Sequence, residues 1–390
     1  AKVDYSNFLG TLLSSFFSLF SGASVGPEAA LGFLTVDVTA WLGDKLKIAR
    51  QFMPEFLLAG LASTYNGVVG SPLFGTLFAT EASGAVSNLL LVGWTLVGGT
   101  VGYLVLTLLH IPPFAGYFDV GALNELTPVY ILYAVIFGIG GAILALWTGV
   151  SLRIAGRVMG VFKDNIFARV LVSGAIIAII GYFIPDLLFS GEAAVHRIMS
   201  SAASYGIPML LLLALLKPLL LGFSLKGGYL GGAVFPSLYT ATMVGLAINL
   251  LFPSVPLILI LATLQAGMIT LVIRAPLTAI LLVAAITVAN PYLLELITVA
   301  TATAMIVGAG LQRFRGKGTE GLSEQTNQRC TTTGRAGPAT WQELASAAKK
   351  ANAPARPPRR LRGGCGKPSH RPFPLRRPKL SAASRSGTAI

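Results

Sequence analysis

The sequence predicts an all-α protein that crosses a membrane many times on helices of unequal length, several of them broken partway. Three observations predict it. Hydrophobic residues make up 54% of the 390 and charged residues only 11%, with a mean hydropathy of +0.73, whereas soluble domains carry about a quarter charged residues. Residues 89–109 and 227–272 contain no Asp, Glu, Lys or Arg, and roughly 20 apolar residues span a bilayer as a helix. Other apolar runs are cut by Gly and Pro into pieces too short to span, as expected where helix ends face protein or water within the membrane.

Taken in order, residues 8–20 form a short apolar run that ends at Gly22-Ala23-Ser24-Val25-Gly26-Pro27-Glu28-Ala29-Ala30-Leu31. Gly26 supplies a tight entry and Pro27 suits a first helical position, because its missing N–H has no partner there in any case. The amides of such a first turn have no partner within the helix and carry partial positive charge, so they hold an anion or a carboxylate. Glu28 is the carboxylate at hand, and ionised it occupies the anion place itself. Taken alone, the stretch has a plainer reading, in which Glu28 only offsets the helix dipole.

Residues 31–42 continue this helix, broken only by Asp37. Runs 53–64 and 72–80 are partial spans, and 88–109 and 129–152 are full-length ones, followed by Arg153, Arg157, Lys163 and Arg169. The positive-inside tendency puts that basic stretch in the cytoplasm. Runs 170–189, 207–223, 233–251, 258–272, 276–289 and 293–311 complete the set. His196, in the hydrophilic interval between two of these runs, reads as a loop residue.

The second half echoes the first. Ser71-Pro72-Leu73 resembles Ala275-Pro276-Leu277 at an offset of 204 residues, and Val25-Gly26-Pro27 has its counterpart in Gly231-Gly232-Ala233-Val234-Phe235-Pro236 at an offset of 209. Two junctions in the same order at nearly equal offsets predict a duplicated unit, about 1–152 and 165–312. Interrupted helices at matching places in two repeats point to a substrate site near the midplane.

The net charge of +14 does not describe this membrane part. Beyond Gln312 there are 17 Lys and Arg against Glu320, Glu324 and Glu343, which accounts for all of it. The tail 313–390, rich in Arg, Pro, Gly and Ala, is expected to be disordered and to meet anionic headgroups at most. It lacks the interleaved aromatics of a nucleic-acid binder, so no specific nucleic acid is expected. Cys330 and Cys365 both fall in this tail, so the membrane part has no disulfide or thiolate metal site. No Cys/His cluster, nucleophile triad or phosphate loop marks an enzyme, and no cofactor or metal is expected.

These residues resemble the CLC family of chloride channels and chloride/proton exchangers. Gly26-Pro27-Glu28-Ala29-Ala30 is similar to its gating-glutamate motif, Gly231-Gly232-Ala233-Val234-Phe235-Pro236 to its Gly-Gly-x-Phe-x-Pro motif, and Ile273-Arg274-Ala275-Pro276-Leu277-Thr278 to the opening of a later helix. Lys217 sits as in many members, and the resemblance covers about residues 8–311. It implies two inverted repeats with broken helices and a homodimer in the cell membrane in which each subunit has its own path for chloride or a similar anion. It also implies gating by Glu28 and anion ligands among the amides of Ala29, Ala233, Val234 and Phe235. Backbone amides suit this role because they attract an anion without trapping it.

Departures from the family pattern shape the expectation. The Gly-Ser-Gly-Ile-Pro motif would lie upstream of Ala1, the late tyrosine has no clear match after Leu311, and the motif phenylalanine falls on Val234. Exchangers commonly carry an inner proton-transfer Glu just after a first one; here Glu81 takes the first position and Ala82 the second. The sequence therefore favours passive conduction. Chloride/proton exchange is the alternative, with Glu81 as a possible proton-pathway residue, and a truncated non-transporting remnant is the third reading. Glu81 reads more readily as a structural or pore-mouth carboxylate, Lys217 as a snorkelling or paired cation, and Arg274 as a structural residue opening a helix.

Overall fold

The structure, a computed structural model, describes residues 5, 8–48, 52–83, 89–112, 120–162 and 165–314, side chains at 82–83 and 312–314 excepted. The region expected to be a disordered tail lies outside the described residues beyond Phe314, as do both cysteines. The described residues hold thirteen α-helices, two single-turn 3-10 segments and no strand. In order they are α1 (Phe8–Phe20), α2 (Glu28–Lys45), α3 (Met53–Val69), α4 (Phe74–Ser83), α5 (Leu89–Leu108), α6 (Pro128–Met159) and α7 (Ile166–Phe183). After these come α8 (Glu192–Ser200), α9 (Ala202–Gly227), α10 (Val234–Leu251), α11 (Leu257–Ile273), α12 (Pro276–Ile286) and α13 (Pro291–Phe314).

Local chemistry explains where the short helices stop. α3 closes on Gly70 in the left-handed region (φ 70°), whose amide returns to the Asn66 carbonyl, the usual glycine ending of a helix. The Asn66 side chain then holds the next turn, donating to the Pro72 carbonyl and accepting from the Gly75 amide. α9 carries a break at Gly206 (φ 69°, ψ 163°) two residues before Pro208, a conformation only glycine adopts without strain.

Lipid and core faces separate cleanly. Large apolar side chains on α5 and α7, among them Leu89, Leu108, Phe167 and Phe183, are exposed, a surface that water would not tolerate. Residues 258–270 of α11 are instead all buried, so this helix, apolar all round, is the centre of the packing. Its backbone is crowded as well: a Cβ on Gly267 would meet the Gly138 carbonyl of α6, and one on Gly138 would meet the Ala300 backbone of α13. Small residues permit this approach, and in a membrane such packing holds helices together. Among the described residues, six helices are long and apolar enough to cross a bilayer. The chain is a multi-pass, all-α membrane protein.

Several boundaries differ from the sequence reading. α6 does not end before the basic residues but runs through Arg153 and Arg157, because Arg is a good helix former whose long stem lets the charge reach water. α3 extends past 64 to Val69, and α7 stops at Phe183, followed by a 3-10 turn at Pro185–Leu187. His196 is not in a loop: it lies on α8, a helix too polar for hydropathy to reveal. Arg274 closes α11 in the left-handed region (φ 56°) rather than opening α12. α13 continues past the boundary drawn at 312 to Phe314.

The helix order repeats itself. α2 to α5 and α10 to α13 each run from a Gly-rich junction through two helices and one short helix of 10 or 11 residues to a long one. The two junctions pair as an antiparallel bridge, Gly26 with Gly232, which agrees with oppositely oriented repeats.

Candidate anion site

The site is built by that bridge. The Gly26 amide donates to the Gly232 carbonyl at 2.9 Å and the Gly232 amide returns to the Gly26 carbonyl at 2.7 Å. Side chains brace the pair from outside: the Ser224 hydroxyl accepts from the Ser24 amide, and the Ser18 hydroxyl from the Leu230 amide. The first turns of α2 and α10 are thereby brought together although about two hundred residues separate them in sequence. Pro27 caps α2 (φ −75°, ψ −13°) and Glu28 is its first helical residue.

Glu28 is 8% exposed, and its Oε1 accepts from the Val234 amide at 2.7 Å. The amides of Phe235 and of Glu28 itself also face the carboxylate. Oε2 is buried without a hydrogen-bond partner. The carboxylate thus sits where two helix starts converge, mostly on the amides of the other repeat, with half of its acceptor capacity unused. A buried acceptor left unpaired costs about 1–3 kcal/mol, so the arrangement is held but not fully satisfied.

Glycine is required around it. A Cβ on Gly26 or on Gly232 would fall on the Glu28 carboxylate itself, and one on Gly231 would strike Val25. The Tyr65 hydroxyl of α3 donates to the Glu28 carbonyl at 2.8 Å, which fixes the backbone and leaves the carboxylate to its own partners. Periodicity gave no hint of Tyr65 because it reads as one more core aromatic.

The remaining candidates fall in different places. Ala29 is the second residue of α2, and Ala233 is the cap of α10, which starts at Val234, one position after the start expected at 233; both flank the carboxylate. Glu81 lies elsewhere, at the start of α12: its Oε1 accepts from the Leu277 amide at 3.0 Å, and its Oε2 from the Thr278 amide at 2.8 Å and the Thr278 hydroxyl at 2.6 Å. Lys217 neither snorkels nor meets a carboxylate. It is fully buried and donates to the carbonyls of Leu187, Leu188 and Phe189 at 2.9, 3.3 and 2.8 Å. Among the described residues, no cluster of three or more His, Cys, Asp or Glu could hold a metal.

Comparison with known proteins gives a consistent answer. A family model described as voltage gated chloride channel matches residues 1–309. The ion-transport protein YfeO of Escherichia coli (strain UMN026) is 24% identical over 319 residues, covering 80% of this chain and 74% of that protein. A slow cyanobacterial Cl⁻/H⁺ antiporter superposes with a TM-score of 0.68 at 21% identity, covering 85% of this chain and 78% of the other. A CLC-type fluoride/proton antiporter does so at 0.65 and 18% identity, over 76% and 73%.

Proposed function

Because the chain belongs to the voltage-gated chloride channel family, we propose that it moves chloride or a similar small anion through the paired helix starts, in exchange for protons carried by Glu28. The observation that carries this reading is the unpartnered, buried Oε2 of a carboxylate whose other oxygen rests on the Val234 amide. Ionised, that carboxylate fills a place suited to a halide, because both are single negative charges that accept from backbone N–H groups. Protonated, it loses the charge that holds it there, and a halide takes its place. One site therefore hosts either the ionised Glu28 or the anion, and this mutual exclusion links proton uptake to anion movement. The likeness to two antiporters supports exchange over the passive conduction that the sequence favoured. A homodimer with one such path per subunit is part of the same proposal.

Passive conduction stands as a second reading for one reason. Glu81, the acid nearest the place of an inner proton-transfer residue, is engaged on both oxygens at the start of α12, and Ala82 follows it in sequence. Vesicles loaded with chloride and reconstituted with the protein distinguish the readings. Exchange predicts that outward chloride flow drives protons inward against their gradient, and chloride flow without proton movement would establish conduction instead.

A further inference from the structure

A small cavity of about 20 Å³ lies between α8, α10 and α12, with Glu192, His196, Phe235 and Tyr239 on its walls. That is room for a single water-sized occupant. Phe235 lines the cavity and its amide also faces the Glu28 carboxylate, so the cavity shares a residue with the gate, and Glu28 is not among its walls. Tyr239 is 1% exposed and its hydroxyl is buried with no hydrogen-bond partner. An unused buried O–H costs about 1–3 kcal/mol unless something fills it.

The surroundings favour a negative occupant. Lys217 lies over the Tyr239 ring, with Nζ 4.7 Å from its centroid, and its three carbonyl acceptors use all the donors of a charged ammonium. Gly191, at φ +92°, lets the chain pass this close, since a Cβ there would press on Tyr239 and on Lys217 Nζ. Arg197 and Asp186 pair with each other, and Tyr205 donates to the same Asp186, so these cancel. What remains is the Lys217 charge, opposed by Glu192 when ionised, with His196 sharing the α8 wall and Glu28 at the Phe235 amide. Ile286 of α12 adds no charge.

We propose that this cavity is an accessory site for a single halide, bound by the Tyr239 O–H in the field of Lys217, and that Glu192 admits the anion when protonated and repels it when ionised. Burial pushes the Glu192 carboxyl up to about 7, so the neutral form dominates below that pH and the ionised form above it. Halide binding is therefore strong on the acid side and lost as pH rises through that value. A site of this size takes one monatomic ion and not a larger oxyanion. The proposal rests on the transport reading only for the class of ligand.

The test is chloride titration calorimetry on the full chain in detergent, with Glu28→Gln as the background so that the gate does not titrate. At pH values below and above 7, the background protein should show a chloride-binding component that weakens at the higher pH. Tyr239→Phe, which keeps the ring beneath Lys217, should weaken that component roughly 10- to 100-fold, the cost of one hydrogen bond to a charge. Glu192→Gln should weaken that pH dependence. Coincident isotherms for the background and Tyr239→Phe would mean that the cavity holds water only and would overturn the site. An undiminished pH dependence in Glu192→Gln would overturn the role of Glu192. Chloride efflux from vesicles of the parent judges the transport reading separately, because absent efflux with an intact isotherm refutes transport and leaves this site standing.

Discussion

Two carboxylates of the first repeat reach across to helix starts of the second, Glu28 to α10 and Glu81 to α12, and the difference between them is instructive. Glu81 receives two amides and a hydroxyl over both oxygens; nothing is left for a competitor to offer. Glu28 has one oxygen on the Val234 amide and the other buried and unpaired. The same chemical device, a carboxylate on a helix N-terminus, is a structural clasp where its acceptors are satisfied and a displaceable occupant where they are not. The surrounding glycines sharpen the contrast, since Gly26 and Gly232 leave only the volume that the Glu28 carboxylate fills.

The largest effect on this comparison is expected at Gly232. In Gly232→Ala the new methyl falls on the Glu28 carboxylate and its stem, with no backbone atom among its three nearest neighbours, so the flexible side chain yields and the fold survives. The methyl takes the place that the ionised carboxylate and the anion share, so each loses a charge-assisted hydrogen bond of about 1.5–3 kcal/mol, roughly 10- to 100-fold in occupancy. Stopped-flow chloride efflux should fall accordingly; an unchanged rate would mean that this place is not on the anion path.

Glu81→Ala should act on stability and not on gating. It strips three acceptor contacts from the start of α12, at a cost of about 2–3 kcal/mol, and a lowered thermal midpoint in detergent would register it. Efflux per folded protein should stay at the parent level. A transport defect with unchanged stability would give Glu81 the proton-pathway role instead and break the contrast.

The smallest effect is expected for Tyr65→Phe. Its hydroxyl holds the Glu28 carbonyl and not the carboxylate, so about 1 kcal/mol of stability is lost. The pH dependence of efflux should change little, and a large shift would mean that Tyr65 takes part in the protonation itself.

Much of this was legible in the sequence, for identifiable reasons. The long spans were visible because lipid-facing helices such as α5 must be apolar over their whole length. The two junctions were visible because Gly and Pro mark broken helices, and their near-equal offsets tied them together. What the sequence could not say is that Glu28 rests on the amides of the other repeat, a contact across 206 residues fixed by the Gly26–Gly232 bridge. Nor did it reveal α8, a nine-residue helix with little hydropathy, and with it the wall that brings Glu192 near Tyr239. Lys217 was misread for a related reason: its acceptors are main-chain carbonyls of residues 187–189, which no side-chain pattern announces.

The most direct test of the account is the pH dependence of chloride efflux from vesicles carrying the parent or Glu28→Gln, with proton movement followed in the same samples. The amide of Gln keeps the size of the side chain and removes its charge for good, as protonation does transiently. The account predicts faster chloride efflux in Glu28→Gln, a flattened pH response, and loss of the chloride-driven proton uptake expected of the parent. If the parent transports chloride and Glu28→Gln matches it in rate, pH response and proton movement, Glu28 is only a partner of the helix dipole and the gate does not exist.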